Sequence, residues 1–382
     1  MRKEPHVNEQ RLLDTFLDLV RLPCPSGREA QAATYCRDAL EACGCTVTVD
    51  DAGEKIGSDT GNLYAELAGT VPGSIILTAH LDCVQPCEGV EPRIVDGVIY
   101  SDGTTVLGGD DKVGVASIIE AVRTLVEEGG SYPTVKIIFS VQEETGCRGA
   151  ANFNAASFEP GEPCFVFDDA GDVGGACLAA PYHYTFKALF TGKASHAGVA
   201  PEQGISAIEA ASLAVDTMRR AGLLGAVGAY CASNIGTISG GSANNVVAPS
   251  CEMTGECRAV DEADVERVRS GMDAAMRDAA TQLGAQVDVA WELEYPGFEI
   301  AEDAPIVQMF CRAAQSAGFT PCTFMSTGGT DANQYVKLGV DPLVVSTGMT
   351  KFHSVDECLK VSDLEDTARL AIALVREMGR CS

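Results

Sequence analysis

The stretch VKIIFSVQEETG, residues 135–146, joins a continuous apolar run to two adjacent acidic residues, Glu143 and Glu144. An apolar run without alternation is typical of a central strand that is covered on both faces. Neighbouring side chains on a strand point to opposite faces, so two carboxylates serve one site only if the strand breaks into a turn there. Gly146 favours such a turn. The alternative is a solvated strand end, because charged residues are mostly exposed.

Two further apolar runs have the same character, SIILTAHLD at 74–82 and CFVFDD at 164–169. A helix is predicted from residue 110 to Gly129, between the strand that begins at 74 and the one that begins near 134. Upstream, Asn8 is placed to cap a first helix, and Ser26 and Glu29 have the spacing of a capping box. Alternating strands and helices indicate an α/β fold.

The pattern changes between residues 182 and 292, where the predicted elements follow the order βαββαβ. This order is that of a ferredoxin-like unit. The α/β pattern returns after this segment and ends in a helix. We therefore expect a catalytic α/β domain of residues 1–181 and 293–382, with a smaller α+β domain of residues 182–292 inserted into it.

The chain carries a formal net charge of −27 over 382 residues. Nucleic acids and anionic membranes need a basic face on a protein, so neither is expected as a partner. No apolar run approaches the length of a membrane span, and the N-terminus lacks the apolar core of a signal peptide. The sixteen cysteines are scattered without a C-x-x-C pair. We expect reduced thiols and a cytoplasmic protein.

Histidine and acidic residues follow the predicted strands where the strands end, and Asp110 and Asp111 follow the glycine-rich VLGG and open the predicted helix. Ligands of open α/β sheets bind beyond the carboxyl ends of the strands. Each residue alone is more typical of a structural or solvated position, but together they suit a divalent ion such as Zn²⁺, or two ions that share one carboxylate. These residues are His80, Asp82, Asp110, Asp111, Glu143, Glu144, Asp168, Asp169 and His353.

Eight segments in order along the chain resemble the M20 metallopeptidases, most closely the branch similar to peptidase T, a tripeptide aminopeptidase. The resemblance runs from about Arg11 to the C-terminal helix. It implies a zinc-exopeptidase-like three-layer catalytic domain with an inserted lid and dimerisation domain. The segments are TAHLDCV, LGGDDKVGVA, SVQEETGCRGA, FVFDDAGDVG, GKASHAGVAPEQGISAIEAAS, NIGTISGGSANNVVAP, STGGTDANQY and FHSVDE.

The same resemblance assigns a role to each residue of the metal site. One zinc would be held by His80 and Asp168, the other by Glu144 and His353, and Asp110 would bridge both. Mn²⁺ or Co²⁺ could replace Zn²⁺. Asp82 would orient His80, and Glu143 would act as general base and then as general acid. Asp169 stays open as an alternative to Asp168, since both stand at the end of one strand.

In the inserted domain, the resemblance implies that His196 is offered to the site of a partner subunit in a homodimer, where it would stabilise the oxyanion. Asn245 and Arg258 match positions that touch substrate, and Gly328 and Gly329 would shape the pocket. A turn role for His196 and a surface role for Arg258 remain alternatives. Asp331 either supports the site or caps a turn.

These expectations describe a di-zinc exopeptidase that hydrolyses short peptides as an aminopeptidase or tripeptidase does. A related amidohydrolase or carboxypeptidase acting on N-acyl amino acids or dipeptides remains open, because those activities share the metal motifs. An aminopeptidase of another family would lack the ASHAG histidine and the inserted domain. A catalytically silent metal-binding protein would have no need of Glu143.

Overall fold

The structure is a computed structural model that describes residues 6–154 and 158–381. These residues divide into two compact units. The second unit comprises Ala179–Glu299 and Ser326–Gly329, and the first holds the remainder. The second unit therefore starts three residues before the expected insertion and ends seven residues after it, and it also takes up one short segment from the α/β region.

The elements of the first part of the chain, in order, are α1 (Glu9–Arg21), α2 (Ala30–Ala42), β1 (Thr46–Val49), α3 (Ala52–Ile56), β2 (Leu63–Leu67), β3 (Ser74–His80), β4 (Arg93–Val95), β5 (Val98–Tyr100), α4 (Gly109–Glu128), β6 (Thr134–Ser140), α5 (Arg148–Ala151), β7 (Pro163–Asp169) and β8 (Gly175–Ala180).

The elements that follow are β9 (Tyr182–Thr191), α6 (Ala207–Arg220), β10 (Gly225–Gly228), β11 (Cys231–Gly240), β12 (Ser250–Ala259), α7 (Glu262–Gln282), β13 (Gln286–Tyr295), β14 (Phe298–Glu299), α8 (Pro305–Ser316), β15 (Cys322–Met325), α9 (Ala332–Tyr335), β16 (Asp341–Ser346), β17 (Cys358–Lys360) and α10 (Val361–Cys381).

The main sheet of the first unit runs in the order β1-β2-β6-β3-β7-β16-β8, with β15 also paired to β8. The four central strands β6, β3, β7 and β16 are mutually parallel, and the outer strands β1, β2 and β8 are antiparallel to their neighbours. The central strands are almost wholly buried, as their unbroken apolar runs predict. Their carboxyl ends consequently lie along one edge of the sheet.

Helices α1, α4, α8 and α10 pack with the sheet into one core. The Asn8 side chain caps α1 by accepting a hydrogen bond from the Arg11 backbone, as predicted. The capping box at Ser26 and Glu29 is wrong: α2 begins at Ala30, whose amide donates to the Asp59 side chain at 3.0 Å. Among the described residues, no helix combines the length and apolarity needed to cross a bilayer.

The second unit contains a sheet of order β10-β11-β12-β9-β13, in which every pair is antiparallel. Helices α6 and α7 pack on each other and on this sheet over a core that includes Phe190, Met253 and Met272. The short strand β10 adds one element to the predicted βαββαβ order. In addition, β12 begins only at Ser250, so the preceding residues NVVAP are not part of the strand.

Candidate metal centre

Two groups of three side chains meet at the carboxyl edge of the central sheet. His80 ends β3, and its Nε2 lies 3.0 Å from Asp110 Oδ1 and 3.6 Å from Asp168 Oδ1. His353 follows β16, and its Nε2 lies 2.8 Å from Glu144 Oε2 and 3.2 Å from Asp110 Oδ2. Asp110 thus presents one carboxylate oxygen to each group, and the two groups share it.

The residues present fit a pair of divalent cations. Imidazole nitrogens and carboxylate oxygens are the donors that Zn²⁺ and similar ions bind. Glu144 Oε1 is buried and has no hydrogen-bond partner. Burial raises the pKa of Asp168 to about 8, in spite of the hydrogen bond to His80. A buried carboxylate whose charge is so poorly compensated is a suitable ligand for a cation.

Asp82 supports both the histidine and the two adjacent glutamates. The His80 Nδ1 lies 3.5 Å from Asp82 Oδ1 and 3.0 Å from its backbone oxygen. The Glu143 amide donates to Asp82 Oδ1 at 2.9 Å, and the Glu144 amide donates to Oδ2 at 3.2 Å. Burial raises the pKa of Asp82, but its contacts, of which those to His80 are the largest, outweigh burial and hold that pKa below its usual value. The imidazole is therefore held in one orientation.

The local backbone explains how Glu143 and Glu144 both reach this site. Strand β6 ends at Ser140, and Gln142 has a φ of 51°, in the left-handed region that non-glycine residues rarely adopt. This turn breaks the alternation of the strand. The two glutamate amides then bind opposite oxygens of one carboxylate, as predicted for a strand that ends in a turn.

The segment that carries Asp110 is held by Glu357. This side chain is buried and accepts hydrogen bonds from the amides of Gly108 at 2.8 Å and Asp110 at 2.9 Å. Asp111 does not belong to either group of three. Its carboxylate instead accepts the backbone amides of His80 at 3.2 Å and Gly114 at 3.1 Å. It joins the end of β3 to the first turn of α4.

Glu143 also stands outside both groups of three, in a neighbouring cluster with Cys147 and Asp331. The Cys147 thiol donates a hydrogen bond to Glu143 Oε1 at 3.2 Å. Burial, and then the charge of Asp168, raise the pKa of Glu143 well above its usual value. Asp331 accepts a short hydrogen bond from the Ser140 hydroxyl and gives no side-chain cap to α9. Asp331 therefore lies in the cluster of Glu143, and its role in supporting the site stays a prediction.

Comparison with known proteins identifies the family. Residues 76–377 match the sequence profile of Peptidase family M20/M25/M40. The chain belongs to this peptidase family. An uncharacterized protein, YqjE, from Bacillus subtilis (strain 168) is 33% identical over 375 residues, which is 98% of this chain and 100% of that protein.

Two crystal structures of similar proteins show the same fold as this M20 chain. The aminopeptidase PepT from Bacillus cereus ATCC 10987 is 34% identical, with a TM-score of 0.88 over 97% of this chain and 99% of that one. A tripeptidase from Staphylococcus aureus subsp. aureus Mu50 is 31% identical, with a TM-score of 0.91, and the match covers 98% of this chain and 99% of that one.

These matches confirm the predicted M20 family, the peptidase T-like resemblance and the fold class, and with them a metal-dependent hydrolase that acts on peptide bonds. The roles of individual residues, the identity of the metal and the homodimer remain predictions.

His196 and Asn245 lie in the second unit of this M20 chain and are exposed. The Gly198 amide donates to His196 Nδ1 at 3.1 Å, which assigns the proton of a neutral ring to Nε2. Asn245 accepts the Ala197 amide through its backbone oxygen at 2.9 Å. His196 thus sits in a short turn beside Asn245, with an N–H donor on its outer nitrogen.

Arg258 also lies in the second unit, on β12, and is half-buried. Its guanidinium pairs with Glu256 at 2.9 Å and lies 3.5 Å from the Tyr295 hydroxyl. Gly329 packs directly on Tyr295, because a Cβ at position 329 would lie 2.2 Å from the hydroxyl oxygen. Gly328 is exposed and has room for a Cβ, since the nearest heavy atom would be 3.5 Å away.

Several residues that support the M20 site were not singled out from the sequence. Ser26 donates to Asp82 Oδ2 at 2.6 Å, where a capping role was expected. Cys147 and Glu357 lie in quoted motifs, SVQEETGCRGA and FHSVDE, but received no role. The presence of a polar side chain inside each of these motifs was the feature of the sequence that could have indicated a role for Cys147 and Glu357. What they contact depends on the register of distant segments, which a single sequence does not reveal.

Proposed function

We propose that this M20 peptidase is a cytoplasmic exopeptidase that removes residues from short peptides, as an aminopeptidase or tripeptidase does, with two Zn²⁺ ions per subunit. The observation that carries the proposal is the position of Asp110 between two groups of ligands, next to a buried glutamate outside both. Mn²⁺ or Co²⁺ could occupy the same ligands. The fifteen cysteines that the structure describes are all free thiols, in keeping with a reducing compartment.

In this proposal, His80 and Asp168 hold one ion, Glu144 and His353 hold the other, and Asp110 serves both. When bound, the ions supply Lewis acidity to the amide carbonyl and lower the pKa of a water molecule. Asp82 keeps the His80 ring in place through Nδ1 and leaves Nε2 for the ion. Glu357 holds the backbone from Gly108 to Asp110, so the shared carboxylate is fixed before any ion binds.

Glu143 is proposed to carry the proton of the reaction. Its carboxylate takes a proton from the attacking water and delivers it to the leaving amine. Its raised pKa favours the protonated form after the first transfer and so supports the second role. The Cys147 thiol hydrogen-bonded to Oε1 leaves the other oxygen to face the water. Since Glu143 ligates neither ion, its carboxylate remains available for this exchange.

His196 is proposed to serve the site of the partner subunit in a homodimer. The hydrogen bond at Nδ1 makes Nε2–H the donor, and such a donor stabilises the oxyanion that develops as the amide carbonyl is attacked. Exposure of the ring on its own unit is what a residue shared with a partner requires.

Asn245 and Arg258 are proposed to bind substrate, and Gly328 and Gly329 to shape the pocket through their backbone. A guanidinium suits the carboxylate of a short peptide. In the free protein Glu256 pairs with Arg258 at 2.9 Å, so substrate binding would exchange one carboxylate partner for another.

A panel of peptides tests the proposal. The chain is loaded in turn with Zn²⁺, Mn²⁺ and Co²⁺ and incubated with a tripeptide, the same tripeptide acetylated at its N-terminus, its C-terminal amide, a dipeptide and an N-acyl amino acid. We expect release of the first residue from the free tripeptide and much slower cleavage after acetylation. Mass spectrometry identifies the products. Release of the last residue, or preferred cleavage of the acylated compounds, would establish a carboxypeptidase or an amidohydrolase instead.

A further inference from the structure

Two cysteines and a lysine meet beneath the metal-ligand segments without belonging to the ligand set. Cys24 lies between α1 and α2, Cys83 follows the His80–Asp82 segment, and Lys112 follows Asp110 and Asp111 in α4. The exposed fractions of the two cysteines are 1% and 5%, and Lys112 is fully buried. Neither the proposed reaction nor the metal ligands use these three side chains.

A backbone hydrogen bond brings the two cysteines together. The Cys83 amide donates to the Cys24 backbone oxygen at 2.9 Å. The Lys112 ammonium donates to Cys83 Sγ at 3.1 Å and makes a short hydrogen bond to the Leu81 carbonyl. Two cysteines whose backbones are joined directly by a hydrogen bond have the close backbone spacing that a disulfide needs.

The lysine makes this pair unusual among the cysteines of the chain. A buried ammonium needs an anionic or strongly polar partner. Among the residues that the structure describes, no carboxylate lies within ion-pair distance of Lys112 Nζ, and its hydrogen bonds go to the Cys83 sulfur and the Leu81 carbonyl. A cation beside a thiol favours the nucleophilic thiolate.

A surface cleft of about 410 Å³ lies next to Cys24 along the chain. Its lining includes Pro23 and Pro25, on either side of Cys24, and Glu88, which follows Cys87. The two sequence neighbours of Cys24 therefore line a surface cleft, while Cys24 itself is buried.

We propose that Cys24 and Cys83 form a redox-modification site, at which a hydroperoxide converts the two thiols into a disulfide. One sulfur attacks the peroxide oxygen, so an S–O bond forms, the O–O bond breaks and the leaving oxygen takes a proton as an alcohol or water. The second sulfur attacks the resulting sulfenic acid, so the S–S bond forms and the hydroxyl leaves as water. The two sulfurs lose two electrons to the peroxide, and a dithiol reverses the change.

The disulfide has a consequence for the metal ligands, and this part rests on the proposed function. Cys83 Sγ lies 3.5 Å from the backbone oxygen of Asp110, and Lys112 is two residues beyond Asp110. Oxidation removes the thiol that donates to Asp110 and the sulfur acceptor of the Lys112 ammonium. The segment from Asp110 to Lys112 then loses two of its supports, and the protein holds its metal less tightly.

The first experiment maps the covalent change in the full chain. The reduced, metal-loaded protein is treated with hydrogen peroxide, denatured with a thiol-alkylating reagent, digested and analysed by mass spectrometry. We expect a linked pair of peptides containing Cys24 and Cys83, two fewer alkylated cysteines, and full recovery after dithiothreitol. A Cys83–Cys87 link, or stable oxidation of Cys24 without a link, would overturn the proposal.

Matched variants and metal content complete the test. Cys24→Ser should abolish the link, whereas Cys36→Ser, at another buried cysteine in α2, should leave it intact. Elemental analysis after desalting should show that oxidation lowers the metal-to-protein ratio in wild type and Cys36→Ser but not in Cys24→Ser. An equal loss in all three proteins, or no loss, would refute the effect on metal. A chain that binds no metal before oxidation would instead refute the proposed function, while the mapping result would stand.

Discussion

Replacement of Glu143 by glutamine should separate catalysis from metal binding. Glutamine has the shape of glutamate but cannot take a proton from water. The amide of residue 143 belongs to the backbone and still donates to Asp82, and a glutamine oxygen still accepts the Cys147 thiol. Neither group of three ligands includes Glu143. We therefore expect turnover to fall while the metal content stays the same.

The size of both effects follows from these contacts. Loss of a general base lowers kcat about 10²- to 10⁴-fold, which raises the barrier by about 3–5 kcal/mol. Since no hydrogen bond is lost, the free energy of unfolding should change by less than about 1 kcal/mol. Burial disfavours the charged carboxylate at this position, so any change in stability should favour the variant.

The neighbouring substitution, Glu144→Gln, is the matched control. It makes the same chemical change one residue away, but Glu144 Oε2 lies 2.8 Å from His353 and Glu144 belongs to the second ligand group. Loss of a residue that only orients a ligand costs about 10- to 100-fold in metal affinity. Loss of this ligand should cost at least as much, and the metal-to-protein ratio should fall.

The assay measures kcat on a tripeptide and metal content by elemental analysis for the two variants and wild type. The expected pattern is crossed: Glu143→Gln loses turnover and keeps its metal, and Glu144→Gln loses metal and recovers part of its turnover at high metal concentration. A comparable metal loss in both variants would refute the separation of roles. So would near-normal turnover in Glu143→Gln.

Three further perturbations probe the support of the site. Asp82→Asn should lower metal affinity about 10- to 100-fold, because Asp82 orients His80. It should also destabilise the protein by about 1–3 kcal/mol, because the asparagine NH₂ group cannot accept the hydrogen bond of one of the two glutamate amides. Calorimetry measures both effects, and an unchanged metal affinity would contradict the proposed role of Asp82. Gly329→Ala should destabilise the protein by about 1–3 kcal/mol through overlap with Tyr295, whereas Gly328→Ala should not; equal melting temperatures in the two variants would count against this packing. Removal of metal by a chelator should lower the free energy of unfolding by about 4 kcal/mol relative to protein in metal at a thousand times its Kd, and zinc should restore it; an unchanged melting curve would argue against a buried ion site.

Four of the five proposed metal ligands could be predicted from the sequence because each follows a strand with an apolar run, whereas Asp110 opens α4. Parallel strands place their carboxyl ends at one edge of the sheet, so His80, Glu144 and Asp168 are brought together by topology alone. Predicting that these three residues lie at strand ends required no knowledge of how the side chains pack. The same rule does not predict that Ser26 and Glu357 lie near the site, because both are in loops whose path depends on tertiary contacts.

The choice between Asp168 and Asp169 shows where a single sequence stops being informative. Both residues end β7 and point to opposite faces of the sheet. In the structure Thr78 of β3 pairs with Val166 of β7. Two residues further along each strand, this register brings His80 level with Asp168 on the same face. Register is a property of two distant segments, so neither strand alone reveals it.

The inserted unit was recognised from its element order, but its extra strand was not. Strand β10 spans only Gly225–Gly228 and contains two glycines, so it has no alternating pattern to detect. The strand forms because it pairs with β11, not because its own sequence favours a strand. Short edge strands of this kind depend on their neighbours rather than on their own side chains.

The two adjacent glutamates acquire different roles because one carboxylate binds both of their backbone amides. Asp82 offers one oxygen to each amide, and the left-handed turn at Gln142 allows both N–H groups to point at it. The side chains must then diverge, one towards His353 and the other towards Cys147. Asp82 contacts His80 as well, so a single side chain sets the geometry of a ligand in each group and of the proposed base. A change at Asp82 should therefore affect metal binding and proton transfer together, whereas changes at Glu143 or Glu144 affect them one at a time.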